Sequence, residues 1–384
     1  MPRSRVVALA FQTAISRNQL KMRGIMDYAR QHGNWRFAFS PEEVSPLSLS
    51  NLAGWDGDGV LGRVEVPEHR RVAHKLRCPL VNLSAMLRNT GLPTVISDDA
   101  FIGQLAAEHL LEHGFRRFAY YGPQTAWYSE ERCRGFTERV AAAGCSCEVF
   151  VSLSGPRSGR PWVWDSSELA DWMCGLRCPV GLLAAHDNRA RMALETCLLI
   201  GRRVPQDIAI VGADDELAIT LTSVPPLTSV THDDERIGYE AAALLDHLMS
   251  GRRPPKQPVR IPPRGLVARA STDIVTADDP ILRRAIAEIH SRLDQNFVVK
   301  QIAHHVAVSR SWLERLFRTH LQCSPHEFIA RARVAKAREL LAVKPPLRFR
   351  EIARQCGFRD TRRLTLVFQS ITGQSPRAFR AQTV

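Results

Sequence analysis

The sequence predicts an α/β region built on mostly parallel sheet, followed by an all-α module with two helix-turn-helix units. Three observations carry this. Through the first two thirds of the 384 residues, short apolar runs alternate with helical stretches. The remainder has helical periodicity, interrupted twice by tight turns. Charge is also partitioned: residues 280–384 hold 20 Lys/Arg against 7 Asp/Glu, a surplus of 13, and the whole chain's 52 against 39 gives the same surplus. Residues 1–279 are therefore formally neutral. A basic module on a neutral one assigns polyanion binding to the C-terminal end.

The elements follow in order. Residues 6–9 read as a first strand and 21–32 as a helix. Residues 59–61, 80–82 and 94–96 read as further strands. Residues 102–113 have helical spacing, and 118–121, 181–185 and 208–212 are apolar strand runs. In such sheets ligands bind beyond the carboxyl ends of the strands. Polar residues just after strands are therefore the candidates: Asp187 after Ala185, Asp214 after Gly212, and Arg132 beyond the Tyr120–Tyr121 strand. A carboxylate accepts from two vicinal hydroxyls, and an arginine donates to them as a fork. Trp127 could cover a sugar face. The alternative for either Asp is a cap on the helix that follows it. Residues 154–161 read as a surface loop and 272–279 as an interdomain linker.

In the basic module, 299–306 form a supporting helix with Ile302 and Val306 on one face. Ser309 caps a second helix, 310–318, whose Leu313, Leu316 and Phe317 point inward. Arg310, Ser311, Glu314 and Arg315 are left outside. Ser324-Pro325-His326-Glu327 is a capping box opening a long helix to 342, ended by Pro345-Pro346. The plan then repeats. Ile352-Ala353 matches Ile302-Ala303, Gly357 supplies the turn, and Asp360 caps a helix over 361–369. Its outer residues are Thr361, Arg362, Arg363 and Thr365. The second helix of each unit is the one that enters a major groove.

Ile352-Ala353, Cys356-Gly357-Phe358, Phe368, Gly373-Gln374-Ser375-Pro376 and Phe379-Arg380 together resemble the AraC family of transcription regulators. The resemblance implies that both recognition helices meet successive major-groove segments of double-stranded DNA. The DNA-contacting set is then Arg310, Ser311, Glu314, Arg315, Thr361, Arg362, Arg363 and Thr365. Leu366 departs from the pattern, standing where many members carry a polar or basic residue.

The neutral part has its own resemblance. Ala107-Glu108-His109-Leu110, Gly114-Phe115-Arg116-Arg117-Phe118-Ala119, Arg132-x-x-Gly135-Phe136, Ala185-His186-Asp187 and 204–215 are similar to the sensors of the LacI/GalR family. That implies a two-lobed periplasmic-binding-protein-like sensor over 5–271 and an effector set of Arg132, His186, Asp187 and Asp214. Gln19 joins that set from a position where relatives tend to carry an aromatic. His232 joins it from one where Gln is usual. The DNA-binding domain then spans 280–384, with helix-turn-helix motifs at about 299–319 and 349–370. A LacI-like sensor followed by an AraC-type reader is the order of xylose-responsive regulators. It implies xylose or a related monosaccharide as effector, a homodimer, and activation with RNA polymerase as a partner. The competing reading is a DNA-binding regulator whose sensor takes a non-sugar effector or none.

An enzyme is not expected: GxSxG, GxGxxG after a strand, the P-loop and HExxH motifs are all missing. No cofactor or metal is expected either, since none of the nine cysteines forms a CxxC pair. Their scatter suggests reduced thiols in a cytoplasmic protein. No apolar run approaches membrane-spanning length.

Overall fold

The computed structural model describes residues 4–12, 15–32, 34–38, 47–152, 156–157, 160–164, 167–273, 279–321, 323–341 and 347–383. They divide into two compact units, residues 1–109 with 116–272, and residues 110–115 with 273–384. Most of the expected linker, 274–278, lies outside the described residues.

The first unit has two lobes. Its first sheet has the order β2-β1-β3-β4, with β1 Arg5–Ala10, β2 Trp35–Ala38, β3 Gly59–Gly62 and β4 Leu80–Asn82, all parallel. Helix α1 (Ser16–His32) connects β1 to β2, and α2 (Pro67–Ala73) connects β3 to β4. Strand β5 (Val95–Ser97) leads into α3 (Asp99–Glu112) and the second lobe. There, β6 (Arg117–Pro123), α4 (Trp127–Ala142) and β7 (Ser146–Ser152) are followed by a hairpin of β8 (Pro156–Arg157) and β9 (Arg160–Trp164). The hairpin occupies the stretch read from sequence as a plain loop. Residues 158–159 are outside the described set.

Then come α5 (Ser167–Gly175), β10 (Val180–Ala184), α6 (Asp187–Leu199), β11 (Ile208–Ala213), α7 (Leu217–Thr220) and β12 (Thr228–Thr231). Helix α8 (Asp234–Met249) and β13 (Val259–Ile261) return to the first lobe, where β13 pairs with β5; β14 (Gly265–Val267) closes the second sheet. That sheet has the order β14-β12-β11-β10-β6-β7, parallel except at β14. The central strands of both sheets are buried on both faces, which explains near-continuous runs such as the wholly buried Ile208–Ala213. The cores are separate: Val7, Leu9, Ile25, Leu61, Val81 and Ile237 in one lobe, and Tyr121, Leu182, Leu194 and Ile210 in the other.

The second unit is helical: α9 (Pro280–Ser291), α10 (Val299–His305), α11 (Arg310–Leu321), α12 (Pro325–Leu341), α13 (Phe349–Gln355), α14 (Thr361–Thr372) and α15 (Pro376–Thr383). It has two cores. Leu282, Ile286, Ile302, Leu313 and Phe317 make the first; Val334, Ile352, Leu364 and Phe368 make the second. Helix α12 supplies Phe328 to the first core and Val334 to the second, so one stiff element joins both helix-turn-helix units. The caps read from sequence are formed. The Ser324 N–H donates to Glu327 Oε2 at 2.7 Å and Glu327 N–H to Ser324 Oγ at 3.2 Å. Arg363 N–H donates to Asp360 Oδ1 at 2.7 Å, and Trp312 N–H to Ser309 Oγ at 3.1 Å.

Candidate effector cleft and DNA-reading face

Two close helix contacts build the floor of a cleft in the first unit. Where α1 crosses α8, a Cβ on Gly24 would lie 1.9 Å from the Glu235 carbonyl oxygen, and one on Gly238 would lie 1.9 Å from that of Lys21. Where α3 crosses α4, a Cβ on Gly103 would lie 2.1 Å from the Arg132 carbonyl oxygen, and one on Gly135 1.9 Å from that of Ala100. Only glycine permits backbones this near. Each crossing delivers a buried ion pair. Lys21 Nζ meets Asp234 at 2.6 Å, and Arg132 Nε meets Asp99 at 2.8 Å. The sequence device is the same twice: a cation three residues before one glycine, and an aspartate four residues before the other.

Above this floor is a cleft of ≈ 190 Å³. At about 30 Å³ per water that is room for roughly six waters, the scale of one small sugar. Arg17 and Lys21 come from α1, Tyr128 and Arg132 from α4, and Ser97 and Asp99 from the β5 end. His186, Asp214 and His232 follow β10, β11 and β12. Leu83, Met86, Ile96 and Ile237 add an apolar part.

The polar groups form one network. Asp214 Oδ1 accepts from Arg17 Nη1 at 2.8 Å, contacts His232 Nε2 at 3.0 Å and lies 3.5 Å from Arg132 Nη1. Arg17 also donates to Asp234 at 2.9 Å from Nε. Arg132 donates to the Ala185 carbonyl and approaches His232 Nε2 at 3.1 Å. The other nitrogen of His232, Nδ1, meets Ser97 Oγ.

Burial pushes Asp214 up, but Arg17, His232 and Arg132 outweigh it and hold the carboxyl well below the usual range. Asp234 is treated alike by Arg17 and Lys21. Burial, reinforced by Arg17, lowers Lys21 to about 8. Burial also lowers His186 and His232 to about 4, so both rings are neutral at pH 7. For Asp99, burial exceeds the pull of Arg132 and the carboxyl is pushed up.

Of the effector residues expected from sequence, Arg132, His186, Asp214 and His232 are brought together here, and three are not. Asp187 is buried off the cleft lining. Its Oδ1 accepts from Ser229 Oγ at 2.6 Å and its Oδ2 from Glu216 N–H at 2.8 Å. Burial, then Asp214, raises it to about 8. Gln19 is exposed; Arg17 and Lys21, four apart, share the helix face toward the cleft, and Gln19 between them points away. Trp127 lies outside the lining beneath the guanidinium groups of Arg260 at 5.4 Å and Arg88 at 6.0 Å. The aromatic in the cleft is its neighbour Tyr128, which shares the Arg132 face of α4, with Arg132 over its ring at 5.1 Å. Sequence reasoning missed Arg17, Tyr128, Lys21, Asp99 and Asp234. The repeated cation–glycine and aspartate–glycine spacing was the signal for the last three.

In the second unit the eight expected DNA-facing residues are all exposed or half-exposed. Arg310 Nε pairs with Glu314 at 2.9 Å, and the Arg315 guanidinium lies 4.1 Å from the Trp312 ring centre. Thr365 spends its hydroxyl on the Thr361 carbonyl at 2.9 Å. Arg362 and Arg363 line a groove of ≈ 500 Å³ with Arg359, Arg333 and Leu366.

Comparison with known proteins agrees with this division. Residues 107–272 match the periplasmic binding protein-like domain, and residues 302–382 match a helix-turn-helix domain. The xylose operon regulatory protein of Haemophilus influenzae is 26% identical over 351 residues, covering 90% of this chain and 88% of that protein. That of Escherichia coli (strain K12) is 28% identical, covering 88% of each. A solved structure of the xylose-binding transcription activator xylR superposes with a TM-score of 0.61 at 26% identity, over 100% of this chain and 99% of that one. The chain is a transcription regulator that joins a periplasmic binding protein-like sensor to a helix-turn-helix domain, and along its length it resembles the xylose operon regulators.

Proposed function

We propose that the effector of this regulator is a small neutral monosaccharide, xylose or a close relative, bound in the cleft around Asp214. One observation carries the reading. The side-chain hydrogen bonds and ion pairs of Asp214 converge on Oδ1, and among the described residues Oδ2 has no partner. A carboxylate oxygen open at a cleft accepts a sugar hydroxyl. The donors, by contrast, are committed. Arg17 and Arg132 already serve Asp214, Asp234 and Asp99, so an anionic ligand would have to displace an acid from a buried guanidinium. That favours a neutral polyol over a sugar acid. The similar proteins are themselves named for xylose.

In this reading the protein acts in the cytoplasm as a homodimer. The effector favours one arrangement of the protomers, through its differential affinity for the two states. The readers then activate transcription from double-stranded DNA with RNA polymerase. No enzymatic step is assigned to the cleft.

The test is a thermal-shift series on the full chain with xylose, arabinose, ribose, glucose, fucose and rhamnose. At 100 times its dissociation constant a true effector adds about 2.7 kcal/mol of stability. Duplexes selected from a random pool would then be bound with and without that sugar. No shift from any sugar, or a shift that leaves DNA binding unchanged, defeats the reading.

A further inference from the structure

The turn that carries Asp214 is held from outside the cleft. Asp214 has φ 119° and Asp215 φ 50°, conformations that non-glycine residues keep only when their surroundings enforce them. The enforcement falls on Asp215 and Glu216. Asp215 N–H donates to Ser229 Oγ at 3.0 Å, and Thr231 Oγ1 donates to Asp215 Oδ2 at 3.1 Å. Glu216 N–H is taken by Asp187, which also accepts from Ser229. This is the place of Asp187 in the molecule: it clamps the turn from behind.

The remaining oxygen of Asp215 leads elsewhere. Oδ1 accepts from Arg269 Nη2 at 2.7 Å, in a pair whose side chains are each only 12% exposed. Arg269 Nη1 donates to the Leu227 carbonyl at 2.8 Å, and Arg269 N–H to Thr228 Oγ1 at 2.8 Å. Two residues later the chain reaches Ser271 and Thr272, both fully buried. Ser271 Oγ donates to the Ile210 carbonyl at 2.6 Å and accepts from Thr228 N–H at 2.8 Å. Thr272 Oγ1 meets Thr228 Oγ1 at 2.7 Å and His109 Nε2 at 2.8 Å. Thr272 is the last residue of the sensor unit, and the next belongs to the reader unit.

We infer that Arg269 is a positioning residue. Through Asp215 it fixes the Asp214 turn, and through its own backbone, bonded to Thr228, it ties that turn to the segment by which the chain leaves the sensor. Closing a ligand on Asp214 loads the turn at one end of this pair and the exit segment at the other. The physical requirement for coupling is a contiguous element that both ends bias, and a buried guanidinium–carboxylate pair one residue from the effector group is such an element. The inference rests on the effector reading only for the identity of the load; the positioning of the turn is independent of it.

The experiment is amide hydrogen exchange on the full chain, comparing the wild type with Arg269→Gln, Arg269→Lys and Asp215→Asn, without ligand and with xylose. Without ligand, Arg269→Gln and Asp215→Asn should each speed exchange about tenfold at Asp215 and Glu216, while Arg269→Lys restores most of the protection and the β1 amides stay unchanged. With xylose, the wild type should gain protection at 214–216 and at 269–272. Arg269→Gln should keep the first gain, lose the second, and bind xylose within about threefold of the wild type. Unchanged turn exchange in both Arg269→Gln and Asp215→Asn overturns the inference, whatever the ligand does. So does a xylose response at 269–272 that survives both. If β1 also loosens in one variant, that variant has lost its fold and the other decides. A wild type with no xylose response anywhere defeats the sugar reading alone, because the ligand-free comparison still stands.

Discussion

Arginine serves two opposite purposes in this molecule. In the cleft, Arg17 and Arg132 are committed to Asp214, Asp234 and Asp99 before any ligand arrives. On the reader, Arg362 and Arg363 are exposed and make no ion pair among the described residues. The difference follows from what each region meets. A buried charge without a partner is costly, so the cleft brings its own acids and presents a surface of paired charges suited to hydroxyls. An exposed guanidinium costs little to leave open, and its partner, a phosphate or a guanine edge, comes with the DNA. The same side chain is a scaffold in one place and an unfilled valence in the other.

The largest test of this contrast is Asp214→Ala. On the proposed reading it removes the acceptor offered to the sugar, and it also takes one acid from the Arg17 and Arg132 network. Losing a charge-assisted bond and leaving guanidinium groups short of a partner should weaken xylose binding by about a hundredfold or more. Calorimetric titration of the variant reads this directly. DNA binding in the absence of sugar should hold. A variant that binds xylose normally would show that Asp214 does not face the effector.

Acid should separate the two regions next. His232 is held neutral with its value lowered to about 4 by burial, next to Arg17 and Arg132 and against the pull of Asp214. In the unfolded chain it takes up a proton near 6.5. The fold therefore keeps the full contribution above pH 6.5 and loses it as pH falls from 6.5 toward 4. The loss from this one ring should be about 3 kcal/mol. His232→Gln has no proton to take up, so its stability should fall less over that window. Chemical denaturation at pH 4.5 and 7 of both proteins gives the comparison. Parallel curves would mean that the ring is not held neutral.

How far the sequence disclosed this depends on the physics of each feature. The reader was legible because its signals are local: Ser324 and Glu327, or Asp360 and Arg363, are three residues apart and cap the same helix. The strand-end residue Asp214 was legible because a parallel sheet places its ligands there, whereas His186 and His232 came from the resemblance to LacI/GalR sensors. Helix α9 was not read, though Leu282 and Ile286 belong to the first reader core. The failures inside the cleft are failures of helix face. Around Arg17, Gln19 was preferred to Lys21, and beside Arg132, Trp127 was preferred to Tyr128. On α4 the four-residue step from Arg132 already pointed to Tyr128, but on α1 the choice needs the direction of the cleft. That direction is set by α1 on α8 and α3 on α4, contacts between residues up to about two hundred positions apart. Asp187 was misplaced for a related reason. A strand-end aspartate looks the same in sequence whether it faces the ligand or braces the turn that does.

A moderate effect is expected on the reader. Arg362→Ala and Arg363→Ala should each weaken binding to a selected duplex by about tenfold. If the contact is to phosphate, the slope of log affinity against log salt should also flatten by about 0.9. Arg310→Ala should cost less, because Arg310 is already engaged with Glu314. Binding measured from 50 to 300 mM salt distinguishes the three. Equal losses for all three would mean that prior pairing does not decide which arginines read DNA.

The smallest effect sharpens the comparison inside the sensor itself. Trp127 and Tyr128 are adjacent on α4, and each has arginine over its ring. Tyr128 lines the cleft and Trp127 does not. Tyr128→Ala should therefore lose the ring offered to the sugar and the packing under Arg132, weakening xylose about tenfold, in line with roughly 1 kcal/mol for an aromatic contact. Trp127→Ala should change xylose affinity less than about twofold, because it removes a surface stack with Arg88 and Arg260 that no ligand touches. Calorimetry on both variants decides whether the sugar meets the α4 face that Tyr128 shares with Arg132 or the neighbouring face of Trp127. A larger loss at Trp127 would place the sugar on the other side of α4 and move the cleft with it.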